Sequence, residues 1–247
     1  MTGPDSTELV TKSLGEIVNA NHRAASVFEK HGLDFCCKGK RSLKQACAEK
    51  MLPVDSIVSE LKAITGTDPG SVDFDRMSLT HLAAYIVATH HEYVKKEMPE
   101  IFSYLQKITA KHSERHPELY KVLETFSEMK KEMELHMEKE ELILFPRIEL
   151  MEIRAILESD AKVNIAFLQE PISMMEEEHE QVGQWLAEIR RLTNDYTAPG
   201  DACTTYRLSY TALQAFELDL HQHVHLENNI LFPKALELFR KINSQLN

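Results

Sequence analysis

One motif occurs twice in this chain, and no other feature constrains the fold as much. The first copy is His136-Met-Glu-Lys-Glu140-Glu-Leu-Ile-Leu-Phe145-Pro146, and the second is His223-Val-His-Leu-Glu227-Asn-Asn-Ile-Leu-Phe232-Pro233. Both read His-x3-Glu-x4-Phe-Pro, and they lie 87 residues apart. A second pair recurs at almost the same distance: His91-Glu92-Tyr-Val94 leading to Glu100-Ile101, and His179-Glu180-Gln-Val182 leading to Glu188-Ile189, with the histidines 88 residues apart. The chain therefore reads as two copies of a helix pair. Each copy offers a lone histidine on its first helix and a His-x3-Glu on its second, which implies a pseudo-twofold arrangement.

The periodicity around these motifs is helical. Leu, Ile, Phe and Met recur every three or four residues through four long segments, about 78–111, 117–154, 171–194 and 203–242. Breaks fall at His116-Pro117, near 155–170, and at Asp195 to Gly200. Such segments with short connections describe an all-α, antiparallel four-helix bundle. Ahead of it, residues 1–66 read as a small helical domain. Its helices are expected over Thr7 to Asn19 and Arg23 to His31 (stopped by Gly32), then behind a Ser42 cap, and from Pro53 to about Ile64. The Gly-, Pro- and Asp-rich stretch TGTDPGSVDFD separates the two parts, with 67–77 taken as linker and 78–247 as the bundle domain.

Residues four apart on a helix share a face, with Cβ atoms roughly 6 Å apart. An imidazole and a carboxylate at that spacing converge on one point of a bundle interior. The candidate ligands are thus His91, His136, Glu140, His179, His223 and Glu227: four nitrogens and two carboxylates, enough for two metal ions with both carboxylates bridging. Imidazole and carboxylate suit iron, manganese or zinc, and the lack of thiolates disfavours a structural zinc knot. Any one of these histidines alone would more simply be a core or surface residue. Matched types at matched spacing on four helices outweigh that reading. His90, His221 and His225 are expected to face elsewhere, and Met129, Met133 and Met137 to be core. Glu178, at the end of the Glu176–Glu178 run, is read as a solvated face or a carboxylate supporting the site.

A net charge of −11 with no Lys/Arg cluster leaves nothing for a nucleic acid to bind. The longest apolar run, about Leu82 to Ala88, is far short of a membrane span. The start, MTGPDSTELV, has no secretory pattern, and four cysteines form no disulfide framework, so a reducing cytoplasm is expected. Cys36 and Cys37 sit in a turn beside Lys38, Lys40 and Arg41. Flanking cations are expected to favour the thiolates, for a redox role or a client contact, against the plainer reading of two buried apolar side chains. Cys47 and Cys203 read as structural.

With these residues in hand, the chain resembles the iron–sulfur cluster repair di-iron proteins. The resemblance spans about residues 8 to 240. It rests on Asp34-Phe-Cys36-Cys37-Lys-Gly-Lys, on both His-x3-Glu copies, on Met-Glu-x-Glu-His179 and on Ala202-Cys203-Thr-Thr-Tyr. In the family Tyr-His often stands at the first ligand, whereas here His90 and His91 are adjacent candidates, and the repeat selects His91. The resemblance implies a non-haem, oxo- or hydroxo-bridged di-iron centre on the six residues above. It further implies cytoplasmic repair of clusters damaged by nitric oxide or peroxide, damaged iron–sulfur proteins as clients, and an N-terminal module assisting repair or homodimerisation. Two other uses of such a centre compete: reduction of nitric oxide or peroxide, and hemerythrin-like binding or sensing of O2.

Overall fold

A computed structural model describes residues 6–64, 72–157 and 167–244. It is all-α, with no strand among the described residues beyond an isolated bridge between Ser13 and Ser42. The expected linker, 67–77, falls partly outside the described residues, and 74–76 form a 3-10 turn.

The bundle has four columns. The first joins α6 (Leu79–Ile86) to α7 (Glu92–His112), and the second joins α8 (Glu118–Lys139) to α9 (Phe145–Ile156). α10 (Gln169–Leu192) is the third, and α11 (Thr204–Leu226) with α12 (Phe232–Ser244) the fourth. Helix α7 packs on α8 and α11, and α10 packs on α8.

Three columns contain a π turn that the helical periodicity did not foretell: Val87–His91, Glu140–Leu144 and Glu227–Leu231. In each, the backbone closes a wider ring, as Phe145 N–H donates to the Glu140 carbonyl and Phe232 N–H to that of Glu227. Pro146 and Pro233 follow directly. Lacking an N–H, they sit where the hydrogen-bond register is already changing.

Two apolar clusters fill the bundle. One includes Val94, Leu105, Phe126, Met133, Leu186 and Phe216; the other includes Leu82, Ile86, Leu144, Met175, Leu231 and Phe232. On every column a paired histidine lies where one cluster gives way to the other. The polar layer is therefore sealed by apolar side chains at both ends, and burial of the flanking residues holds it in place. The methionines at 129, 133 and 137 belong to the first cluster.

The N-terminal helices are α1 (Ser6–Thr11), α2 (Leu14–Ala20), α3 (Ala24–Lys30), α4 (Leu43–Glu49) and α5 (Val54–Ala63). The single helix expected over Thr7 to Asn19 is two. Ser13 ends the first and caps the second: its hydroxyl accepts from Glu16 N–H, while the Glu16 carboxylate accepts from Ser13 N–H. Ser42 forms the same kind of capping box with Gln45, and Gly32 stops α3 with φ +61°. The core of this part, around Leu14, Phe28, Phe35, Leu43 and Ile57, also takes in Val224 of α11.

Docking is tight at one point. Asn229, inside the third π turn, donates through Nδ2 to the carbonyls of Phe35 (3.2 Å) and Cys36 (3.0 Å). A Cβ at Gly39 would come within 2.4 Å of Asn229 Oδ1, and one at Gly15 within 2.6 Å, so both glycines are needed for this approach. The cysteine turn thus rests on the same π turn that carries Glu227.

Candidate metal centre

Six side chains meet in the polar layer: His91, His136, Glu140, His179, His223 and Glu227, none more than 2% exposed. They form two overlapping groups, His91–His223–Glu140–Glu227 and His136–His179–Glu140–Glu227, whose donor atoms all lie within 4.8 Å of one another. The Nε2 atoms of His91 and His223 are 3.2 Å apart, and those of His179 and His136 are 3.0 Å apart. Glu140 Oε2 lies 3.3 Å from His91 Nε2 and 3.4 Å from His136 Nε2. Glu227 lies 3.0 Å from His223 Nε2 through Oε1 and 3.2 Å from His179 Nε2 through Oε2. Each carboxylate therefore faces one imidazole of each group, the geometry of a bridge.

These atoms fit a pair of cations. Both oxygens of Glu140 and Oε2 of Glu227 are buried and have no hydrogen-bond partner among the described residues. Buried carboxylate oxygens are ordinarily saturated, because stripping water from them is costly. Here four ring nitrogens converge on them instead, and a cation between would satisfy both. Without one, the charges lean on each other. Burial and the neighbouring Glu227 push the Glu140 carboxyl up, yet His136 and His91 hold it below its ordinary value. Burial likewise opposes ionisation of Glu227, but His223 and His179 hold it well below the usual range. Burial pulls the His136 imidazole down, and Glu140 outweighs it, pushing the group up to about 10. For His223 burial wins, and the value falls.

Three of the four outward ring nitrogens are also held. His91 Nδ1 lies 2.7 Å from Glu141 Oε1, His136 Nδ1 2.8 Å from Glu178 Oε2, and His179 Nδ1 2.9 Å from Asn228 Oδ1. An Nδ1–H donated to such an acceptor leaves the Nε2 lone pair pointing inward and orients the ring. Glu141 also bonds Lys95, and Glu178 bonds Lys139. Of the two readings open for Glu178, the supporting carboxylate is the one its geometry matches. Sequence reasoning missed Glu141 and Asn228. The signal was there, since 141 and 228 are separated by the same 87 residues as Glu140 and Glu227.

His90 departs from expectation. It was placed on another face, but it is buried, its Nδ1 lies 3.0 Å from Asp219 Oδ1, and its ring stacks on His223 at 5.7 Å and 7°. The π turn Val87–His91 is the reason, because the wider turn changes the angle between successive residues. His221 and His225 do turn away from the cluster. His221 bonds Glu29 of α3, and His225 packs on Phe35 with centroids 5.6 Å apart.

Cys36 and Cys37 lie beside the cluster but outside it. Their sulfurs are 3.9 Å apart, and Cys37 Sγ is 3.5 Å from the His179 carbonyl oxygen. The expectation that nearby cations favour the thiolate fails at Cys36. Its bond with Cys37 and its burial push that thiol well up, and Asp34 adds negative charge. Cys37 is half-buried and lines a cleft with Lys38, Lys40, Glu176 and Glu180.

Known proteins share this construction. Residues 82–235 match the Hemerythrin HHE cation binding domain, and residues 10–65 match ScdA_N, a domain of unknown function. The chain is 36% identical over 225 residues to proteins named iron-sulfur cluster repair protein YtfE from Yersinia pestis (strain Pestoides F) and Yersinia pseudotuberculosis serotype O:1b (strain IP 31758). Each alignment covers 91% of this chain and 96% of the relative.

Proposed function

The chain belongs to the family of iron–sulfur cluster repair proteins with a hemerythrin-type cation-binding domain, and from that premise we propose that its buried cluster holds two iron ions used in restoring damaged iron–sulfur clusters. One observation carries the proposal: two His2Glu2 groups share both carboxylates, and three of the four carboxylate oxygens have no hydrogen-bond partner among the described residues. His91 and His223 would hold one ion, His136 and His179 the other, with Glu140 and Glu227 available to both. Iron bound there supplies redox-active, exchangeable metal with coordination positions open to small molecules.

The chain's own residues set how firmly such metal is held. Nitrogen and oxygen donors without thiolate bind ferrous iron weakly relative to copper or zinc, which suits a store that must release its content. The apolar clusters above and below exclude water from the shared carboxylates. The cysteine turn, seated on the Glu227 π turn, places Cys37 within reach of both the cluster backbone and the cleft, as a contact for a damaged client protein. A unit of 1–66, a linker of 67–77 and a bundle of 78–247 belong to the same proposal, as does a cytoplasmic location. No helix among the described residues is long and apolar enough to cross a membrane.

The test is iron analysis of anaerobically purified protein, then transfer of that iron to an apo cluster protein. Two irons per chain with transfer supports repair by donation. Two irons that stay bound while nitric oxide or peroxide is consumed favours the enzymatic reading instead. Tightly held zinc, or no metal, overturns the di-iron assignment.

A further inference from the structure

The repeat that builds the cluster also builds its supports, and there the two copies differ. Under the repeat, His91 corresponds to His179, His136 to His223 and Glu140 to Glu227. By the same offsets Glu141 corresponds to Asn228, and Glu178 to His90. In the His136/His179 group both imidazoles are supported, by Glu178 at 2.8 Å and by Asn228 at 2.9 Å. In the His91/His223 group only His91 is, by Glu141 at 2.7 Å. His223 Nδ1 is buried and has no hydrogen-bond partner among the described residues. The residue at the position equivalent to Glu178 is His90, which stacks on the His223 ring and gives its own Nδ1 to Asp219.

Resting on the di-iron reading above, we infer that the two metal positions are unequal: the ion at His91/His223 leaves first, and Glu178 and Asn228 are positioning residues that retain the other. Shared groups cannot cause the difference. Both carboxylates face both positions, and each supporting glutamate also takes one lysine, Lys95 on Glu141 and Lys139 on Glu178. What remains is the missing acceptor behind His223. An acceptor on Nδ1–H raises the donor strength of Nε2 and fixes the ring plane, and losing one typically weakens metal binding about 10–100-fold.

The experiment uses the full chain loaded anaerobically with two ferrous ions and mixed with excess ferrous chelator. Release is expected in two equal phases, with rates about 10–100-fold apart. Asn228→Ala and Glu178→Ala should each speed the slow phase and leave the fast one unchanged, while Glu141→Ala speeds the fast phase. Asn228→Asp, which keeps an acceptor oxygen on His179, should restore the slow phase; a merely structural role for Asn228 gives no such selectivity or rescue. A single phase in the unaltered chain overturns the inference, as does acceleration of the fast phase by the Asn228 or Glu178 changes. Because these rates are read without any client protein, failure of iron transfer would refute donation and leave the inequality standing. A chain that takes up no iron refutes both.

Discussion

Glu227→Gln separates a bridging carboxylate from an ordinary buried one. The side chain is fully buried, and its two oxygens face His223 at 3.0 Å and His179 at 3.2 Å, one from each half of the cluster. Glutamine keeps the volume and removes the charge. Each proposed metal position has four candidate protein donors, two imidazoles and the two shared carboxylates. Structural zinc sites in zinc-finger peptides bind metal with roughly 10–16 kcal/mol, so one donor in four is worth at most about 2.5–4 kcal/mol, or up to roughly two to three orders of magnitude in affinity. Because Glu227 serves both positions, both ions should weaken together. His223→Ala should weaken mainly one. The assay is iron per chain after anaerobic desalting, with helical content checked by circular dichroism and Glu237→Gln, on an exposed turn of α12, as the control. A Glu227→Gln protein that folds and binds iron at either position as firmly as the unaltered chain refutes the bridging role.

Three further outcomes follow from the same geometry. In the metal-free protein Glu140 and Glu227 are held below 4.5, so their contribution to stability is present above that value and lost as pH falls through their lowered values. His91 and His136 are raised, so theirs is full below 6.5 and lost as pH rises, for His136 through about 10; His223, lowered, acts in the opposite sense. The urea midpoint of metal-free protein should therefore fall from pH 6.5 toward 10, while added metal, which displaces those protons, should help more at the higher pH; a steady rise without metal contradicts this. Arg190→Ala strands Glu217, a buried carboxylate that Arg190 grips through Nε at 3.2 Å and Nη2 at 2.6 Å, and should cost about 3 kcal/mol in denaturant unfolding. Replacing both, as Arg190→Met with Glu217→Leu, should cost much less, and an equal loss would show that the pair is not the cause. Finally, alkylation of the folded protein at pH 8 should reach half-buried Cys37 well before Cys36, whose thiol is buried and pushed up, a difference that should vanish in denaturant.

Much of this protein is legible along the chain because a helix converts sequence spacing directly into shared faces. His136 with Glu140, His223 with Glu227, and the equal offsets of His91 and His179 specify which residues stand at one level of a bundle before any packing is known. Capping at Ser42 and the stop at Gly32 are equally local, since each depends on bonds within a few residues. The break at Ser13 is local too, a capping box with Glu16 that apolar spacing hid. Other features depend on what lies across the fold. The thiol of Cys36 responds to its bond with Cys37 and to burial rather than to the lysines beside it in sequence. The π turns were invisible because a change of helical register leaves apolar periodicity almost intact while re-aiming single residues. Sequence alone therefore specified the helices and the six residues of the polar layer, whose spacing is intrinsic to the backbone. Only the tertiary structure decided which of the ring nitrogens are supported, that His90 rather than a carboxylate backs His223, and that the cysteine turn rests on the Glu227 turn. Those outcomes are set by residues 42 to 194 positions apart in the chain, and no local rule reports them.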